Sequence, residues 1–142
     1  MKKIILIISL FSTLMVHATP YVTEKVLQNF HKIFPAAREI TWSENNNMFE
    51  AYFTMTNMKC HVRYDFEGNV IQIIRYYKGE LLPPMILINI AKKYPDQFIA
   101  GVTELTEEDD ISYDIMLQDD KKWYHIKANS MGNVFLIKKF NK

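Results

Sequence analysis

The chain sets out one plan twice. Val26 to Val70 and Ile86 to Val134 each open with a helical apolar pattern that runs into an aromatic-Pro pair, continue as short alternating stretches, and end at Gly-Asn-Val. In the first copy Thr23 is placed to cap a helix, and Val26, Leu27, Phe30, Ile33 and Phe34 recur at helical spacing as one apolar stripe. Pro35 ends that helix at about Phe34, because the residue before a proline avoids the helical region. The second copy repeats this at a shift of 60, with Ile86, Leu87, Ile90, Ala91 and Tyr94 as the stripe and Pro95 as the stop. Pro83-Pro84 suits the first turn of that helix, where a missing N–H costs nothing. Asn29 and Lys32 recur in type as Asn89 and Lys92.

Beyond each helix the chain reads as strands. In the first half a short strand over 39–43 carries Trp42, and 44–47 is a turn. Phe49, Ala51, Phe53 and Met55 alternate with Glu50, Tyr52 and Thr54. After a turn at Thr56-Asn57, Cys60, Val62, Tyr64 and Phe66 alternate with Lys59, His61, Arg63 and Asp65. That period of two marks half-buried strands. Gly68 is expected to hold a positive φ in the turn over 67–69. The stretch 70–77 is apolar on both faces, which predicts a central or covered strand.

The second half answers in kind. It has a strand over 98–105, a turn over 107–110, and inward Ile111, Tyr113, Ile115 and Leu117. After a turn at Asp119-Asp120, Tyr124, Ile126 and Ala128 point inward, opposite Trp123, His125 and Lys127. A last strand runs over 134–139 after the turn at 131–133. Short strands with short turns pair antiparallel, and each helix must bury its stripe on a sheet face. The expected fold is α+β: tandem α-β-β-β-β repeats, with an antiparallel sheet and two helices packed on one face.

The N-terminus reads as a secretory signal. Lys2 and Lys3 precede an apolar run over 4–16 that is too short for the roughly 20 residues of a spanning helix, and Val16-His17-Ala18 is a small-x-Ala cleavage site. Cleavage after Ala18 leaves residues 19–142 as one domain of two repeats, about 21–79 and 80–142, exported to the periplasm or secreted, with no further membrane span. The 17 Lys and Arg nearly balance the 16 Asp and Glu, and two of those lysines leave with the signal, which argues against a nucleic-acid binder. Cys60 is the single cysteine, so no internal disulfide is expected; it reads as a buried, inert thiol.

Cys60-His61-Val62-Arg63 aligns with Tyr124-His125-Ile126-Lys127, and in each the histidine and the base point to the outer sheet face. Side by side, His61, Arg63, His125 and Lys127 could form one polar patch with Glu50, Tyr52 and Trp123, a mixed aromatic and charged surface suited to a protein or peptide. No metal or cofactor is expected: two histidines beside bases lack the three or four convergent ligands a metal needs, and the acidic run over 107–110 lacks the spacing of a calcium loop. No Gly-x-Ser-x-Gly or glycine-rich phosphate loop occurs, so no catalysis is expected. Trp42 is expected in the helix-sheet core. The function predicted is a non-catalytic binding module for an unidentified envelope protein or peptide. The alternative is a carrier of a small apolar ligand between helices and sheet, motivated by 8 Met and 9 Phe. Oligomeric state is not legible.

One resemblance joins these pieces. Phe34-Pro35 with Trp42 seven residues on, then Asp65-Phe66-Glu67-Gly68-Asn69-Val70, Leu82-Pro83 before the second helix, and Tyr94-Pro95 resemble the PepSY-like exported proteins of Bacteroidetes. The resemblance covers nearly all of the mature chain. It implies a fold similar to the beta-lactamase inhibitor protein, an exported location, no known catalysis and, by analogy, binding or inhibition of another protein. The chain departs from the inhibitor in lacking its paired cysteines and any recognisable inhibitory loop.

Overall fold

The computed structural model describes residues 21–142, and the expected signal over 1–18 lies outside the described residues. Helix α1 (Glu24–Ile33) is followed by strands β1 (Arg38–Asn45), β2 (Met48–Met55), β3 (Met58–Tyr64) and β4 (Val70–Tyr77). A 3-10 turn at Gly79–Leu81 leads to α2 (Pro84–Lys93), then β5 (Phe98–Glu107), β6 (Asp110–Gln118), β7 (Lys122–Asn129) and β8 (Val134–Asn141). The Thr23 hydroxyl accepts from the Val26 N–H, and the Phe34 and Tyr94 N–H groups close the two helices onto Phe30 and Ile90.

All eight strands form one antiparallel sheet in chain order. The halves are joined by β4 and β5, which pair from Gln72↔Glu107 to Tyr77↔Val102 although α2 lies between them in sequence. Both helices pack on the same sheet face. Val26 and Phe30 of α1 bury against Phe49, Ala51, Phe53, Val62 and Tyr64, and Ile86 and Ile90 of α2 against Ile115, Leu117, Tyr124 and Ile126. Trp42 joins the first core, 5.2 Å from the Phe30 ring.

The repeat extends to pairing register. Trp42↔Ala51 matches Val102↔Ile115, and Tyr52↔His61 matches Met116↔His125. It also extends to one tertiary contact per half. Gly68 and Gly132 both have φ +86°, in turns closed by the Asn69 N–H on the Asp65 carboxylate and the Asn133 N–H on the Asn129 side-chain oxygen. Over each turn lies a helix asparagine: Asn29 Nδ2 donates to the Gly68 carbonyl at 2.6 Å, and Asn89 Nδ2 to the Gly132 carbonyl at 2.8 Å. The matched pair that the sequence shows as residue types is a clasp between each helix and the last turn of its half. Asn29→Ala and Asn89→Ala should each lower the unfolding free energy by about 1–2 kcal/mol, read from urea midpoints, because each strips a part-buried carbonyl of its donor.

The structure corrects several boundaries and faces. Ile33 is 43% exposed and Ala91 is exposed, although the helical spacing puts both on the buried stripes. Each sits one residue from a true stripe member, and one residue turns the helix by about 100°, carrying the side chain off the sheet. Phe66 is not an inward strand residue. The chain turns at Asp65, and the ring packs edge-on against Phe49 at 5.0 Å while staying 45% exposed. Strand β1 runs on to Asn45 because Asn46 and Asn47 alone make the turn, at φ 49° and 60°. Strand β5 likewise reaches Glu107, which pairs with Asp110, and β8 reaches Asn141. Strand β4 is central, as its two apolar faces suggest.

Candidate functional site on the open sheet face

Side chains alternate across a strand, so the inward Ala51, Phe53, Val62 and Ile126 send Glu50, Tyr52, His61, Arg63, His125 and Lys127 to the face away from the helices. No helix packs there among the described residues. Glu50 is the centre of the first group and is only 7% exposed. Its carboxylate accepts from the Tyr52 hydroxyl at 2.9 Å, with Arg63 Nε at 3.4 Å and His61 Nε2 at 3.6 Å. The Tyr52 ring stacks on His61, centroids 4.1 Å apart and planes within 10°. Burial pushes the His61 imidazole below the ordinary histidine value; Glu50 opposes this and Arg63 adds to it. Burial thus favours the neutral imidazole, and Arg63 is the permanent cation beside the Glu50 carboxylate. Burial first, and then the bond to Glu50, raises the Tyr52 hydroxyl.

A second group repeats the first at a shift of 64. Asp114 stands where Glu50 does, with His125 Nε2 at 2.5 Å and Lys127 Nζ at 3.7 Å. Met116 replaces Tyr52 opposite the histidine, so no ring stacks there, and the group is more open, with Lys127 51% exposed. Asp114 lies between the inward Tyr113 and Ile115, so alternation puts it on this face, yet it is not among the site residues expected from the sequence. Its signal is the same shift of 64 that equates His61 with His125 and Arg63 with Lys127.

These residues form two clusters rather than one patch. Strands β4 and β5 lie between β3 and β6, a separation of about 14 Å at ordinary strand spacing. The intervening stripe is Ile74 and Tyr76 on β4 with Leu105 and Thr103 on β5. Tyr76 is 45% exposed and stands between two shallow hollows. One, of about 280 Å³, is bordered by Tyr52 and His61; the other, of about 290 Å³, by Asp114, Met116 and His125. Trp123 lies at the start of β7 beside Gln118 and Phe140, with Lys142 Nζ 5.2 Å from its ring centroid, away from Glu50 and Tyr52.

Chemically, the face offers paired charges, aromatic rings and shallow relief. Cys60 faces the helices at 3% exposure, its thiol raised by burial, so it does not meet His61. No group of three or more potential metal ligands converges among the described residues, and no helix among them is long and apolar enough to cross a membrane.

No family model matches the chain, and no curated protein matches it. Its fold recurs in solved structures. A BLIP-like protein from Bacteroides fragilis superposes with a TM-score of 0.63 at 16% identity, covering 84% of this chain and 85% of that one. A DUF2874 family protein from Bacteroides ovatus gives a TM-score of 0.61 at 20% identity, covering 83% and 86%. A Bacteroides eggerthii protein named for the periplasm gives 0.62 at 17% identity, covering 86% and 90%. The chain therefore has the α+β fold of BLIP-like proteins: a single antiparallel sheet with two helices on one face.

Proposed function

We propose that the chain is an exported, non-catalytic binding module of the PepSY-like kind that recognises an envelope protein or peptide through its open sheet face. The observation that carries this reading is the pair of matched clusters, Glu50–His61–Arg63 and Asp114–His125–Lys127, flanking the exposed Tyr76 stripe. A helix-sheet core alone gives no reason for an acid, a histidine and a base to recur at one shift on the far face. Such a surface supplies apolar contact in the middle and charge selectivity at the sides. The signal-like N-terminus and the periplasmic naming of one structural neighbour support the location.

A second reading, carriage of a small apolar ligand, is favoured by one feature. A groove of about 710 Å³ lies between the C-terminal end of α2 and the start of β5, lined by Leu87, Ile90, Tyr94 and Ile99. That volume is in the usual range for ligand sites, roughly 300–1,000 Å³. The groove borders the second core; the space directly beneath the helices is filled by fully buried Val26, Phe30 and Ile86.

Capture from envelope extract tests the first reading. Arg63→Ala with Tyr76→Ala, and Trp123→Ala separately, should lose a partner that the unchanged protein retains, with capture run well below each variant's melting temperature because Arg63→Ala also strips the buried Glu50 carboxylate of its counter-charge. Undiminished capture by the Arg63/Tyr76 variant would remove the face from consideration. A bound apolar mass in native mass spectrometry of the same preparation would favour the groove instead.

A further inference from the structure

The junction between the halves has an unfilled counterpart at each end of the sheet. Strand β4 is joined to β5 by Ile74↔Leu105, Arg75↔Glu104, Tyr76↔Thr103 and Tyr77↔Val102. In the second half the place of β4 is taken by β8: Arg75 pairs with Cys60 and Lys139 with Tyr124, and Tyr76 pairs with Lys59 and Phe140 with Trp123, all at the shift of 64. In the first half the place of β5 is taken by β1: Val102 pairs with Ile115 and Trp42 with Ala51, and Glu104 with Tyr113 and Glu44 with Phe49. Both β1 and β5 also carry a register shift just before this segment, ending at Thr41 and Gly101. Strands β1 and β8 are the two edges of the sheet.

From this equivalence we infer that β8 of one molecule pairs antiparallel with β1 of a second copy, repeating the β4–β5 junction between molecules. The register is fixed by the internal one: Lys138 opposite Asn45, Lys139 opposite Glu44, Phe140 opposite Ser43 and Asn141 opposite Trp42. The charge pattern carries over. Arg75 meets Glu104 at 2.5 Å on the helix side of β4–β5, and Lys139 and Glu44 occupy the corresponding places on β8 and β1. Glu44 forms no ion pair among the described residues, and Lys139 Nζ rests over the Tyr124 ring at 4.7 Å, on the same side of the sheet.

The β8 edge has the surface of a strand awaiting a neighbour. Phe135, Leu136, Ile137 and Phe140 are 54%, 49%, 53% and 39% exposed. A long apolar edge with unpaired N–H and C=O groups is a template for another strand, and proteins that avoid such pairing shorten or cover it. Pairing of β8 with itself sets Lys138 and Lys139 against no acid, because β8 contains none, whereas β1 supplies Glu44. The contact uses different surfaces on the two copies, so it builds rings or open chains rather than a two-fold dimer.

Site-directed cross-linking tests this. Residues directly opposite in an antiparallel pair have Cα atoms about 4.5–5.5 Å apart, within disulfide reach. Mixed under mild oxidation, Asn45→Cys and Lys138→Cys proteins, which keep Glu44 and Lys139, should form the mixed dimer in about tenfold excess over either homodimer, a ratio that a differential of ~1.4 kcal/mol produces. Cys60 is too buried to compete. In sedimentation equilibrium the unmodified protein should gain mean mass with concentration. Lys139→Glu should lose that gain, and Lys139→Glu with Glu44→Lys in one chain should regain it. Equal rates for mixed and like pairs, an excess of a like pair, or a monomeric mass at every concentration would each overturn the proposal.

Discussion

Phe30→Ala is expected to lower the unfolding free energy by about 3–5 kcal/mol, the usual range for deleting a buried phenylalanine. Phe30 is fully buried, and its ring sits 5.0 Å from Phe53, 5.2 Å from Trp42 and 5.6 Å from Phe34, with the first two contacts edge-on. Removing it opens a cavity at the centre of the first core and breaks the edge-to-face contacts with Phe53 and Trp42, each adding about 0.5–1.5 kcal/mol beyond area. Small domains have about 5–15 kcal/mol of stability in all, so the variant should be partly unfolded at moderate temperature. The matched position in the second half is Ile90, 3% exposed. Ile90→Ala should cost less, about 2–4 kcal/mol, since no aromatic ring system is lost. Urea unfolding followed by tryptophan fluorescence reads both. Because one sheet runs through both cores, each variant should unfold in a single transition; two separate transitions would show that the halves are independent.

The second large effect is expected at Glu104, which sequence reasoning does not single out. Its carboxylate accepts from Arg75 at 2.5 Å and from the Tyr77 hydroxyl at 2.7 Å, on the helix side of the sheet, and Thr106 accepts a further Arg75 hydrogen. The pair is mostly shielded, with the Arg75 and Glu104 side chains 22% and 16% exposed. Glu104→Ala leaves a largely buried guanidinium without its counter-charge and a buried Tyr77 hydroxyl without an acceptor. The expected loss is about 2–4 kcal/mol, below the range for a fully buried pair because some solvent reaches this one. The site lies on the strands that join the two halves, so the loss should appear as earlier unfolding of the whole chain. Arg75→Met with Glu104→Leu and Tyr77→Phe should recover most of it, because the three apolar side chains leave neither a charge nor the Tyr77 hydroxyl unpaired. A triple variant as unstable as Glu104→Ala would mean that the network contributes packing that these apolar side chains cannot replace.

Much of the fold is legible because a strand records its faces in alternate residues. Ala51, Phe53, Val62, Ile115 and Ile126 point to the core as the alternation requires. Pro35 and Pro95 end helices where the pre-proline restriction places the end. The helix flanks are less legible. Ile33 and Ala91 match the apolar period as well as their neighbours do, and only the position of the sheet decides which side of the stripe is covered. Turn lengths fail for a local reason: Asn46-Asn47 needs two residues at positive φ and no more, so Glu44 and Asn45 are left to extend β1.

The candidate face shows the same division. That His61, Arg63, His125 and Lys127 leave the core comes from their parity with Val62 and Ile126. That they form two groups comes from strand order, since β4 and β5 are inserted between β3 and β6. In the sequence Glu50 is one outward residue among several. Its burial and its role as hub depend on three side chains converging from two strands, which no linear pattern records.

The duplicated plan, the helix limits at proline, the inward face of most strands and the two glycine turns are legible in the chain, because each depends on residues close together in it. That the duplicated halves share one sheet, that Arg75 meets Glu104 across the junction, and that β1 and β8 are left as edges follow from the three-dimensional arrangement alone. Those facts rest on which strand lies beside which. Backbone hydrogen bonding between neighbouring strands is nearly blind to side-chain identity, so the order of strands is set by the packing of the whole.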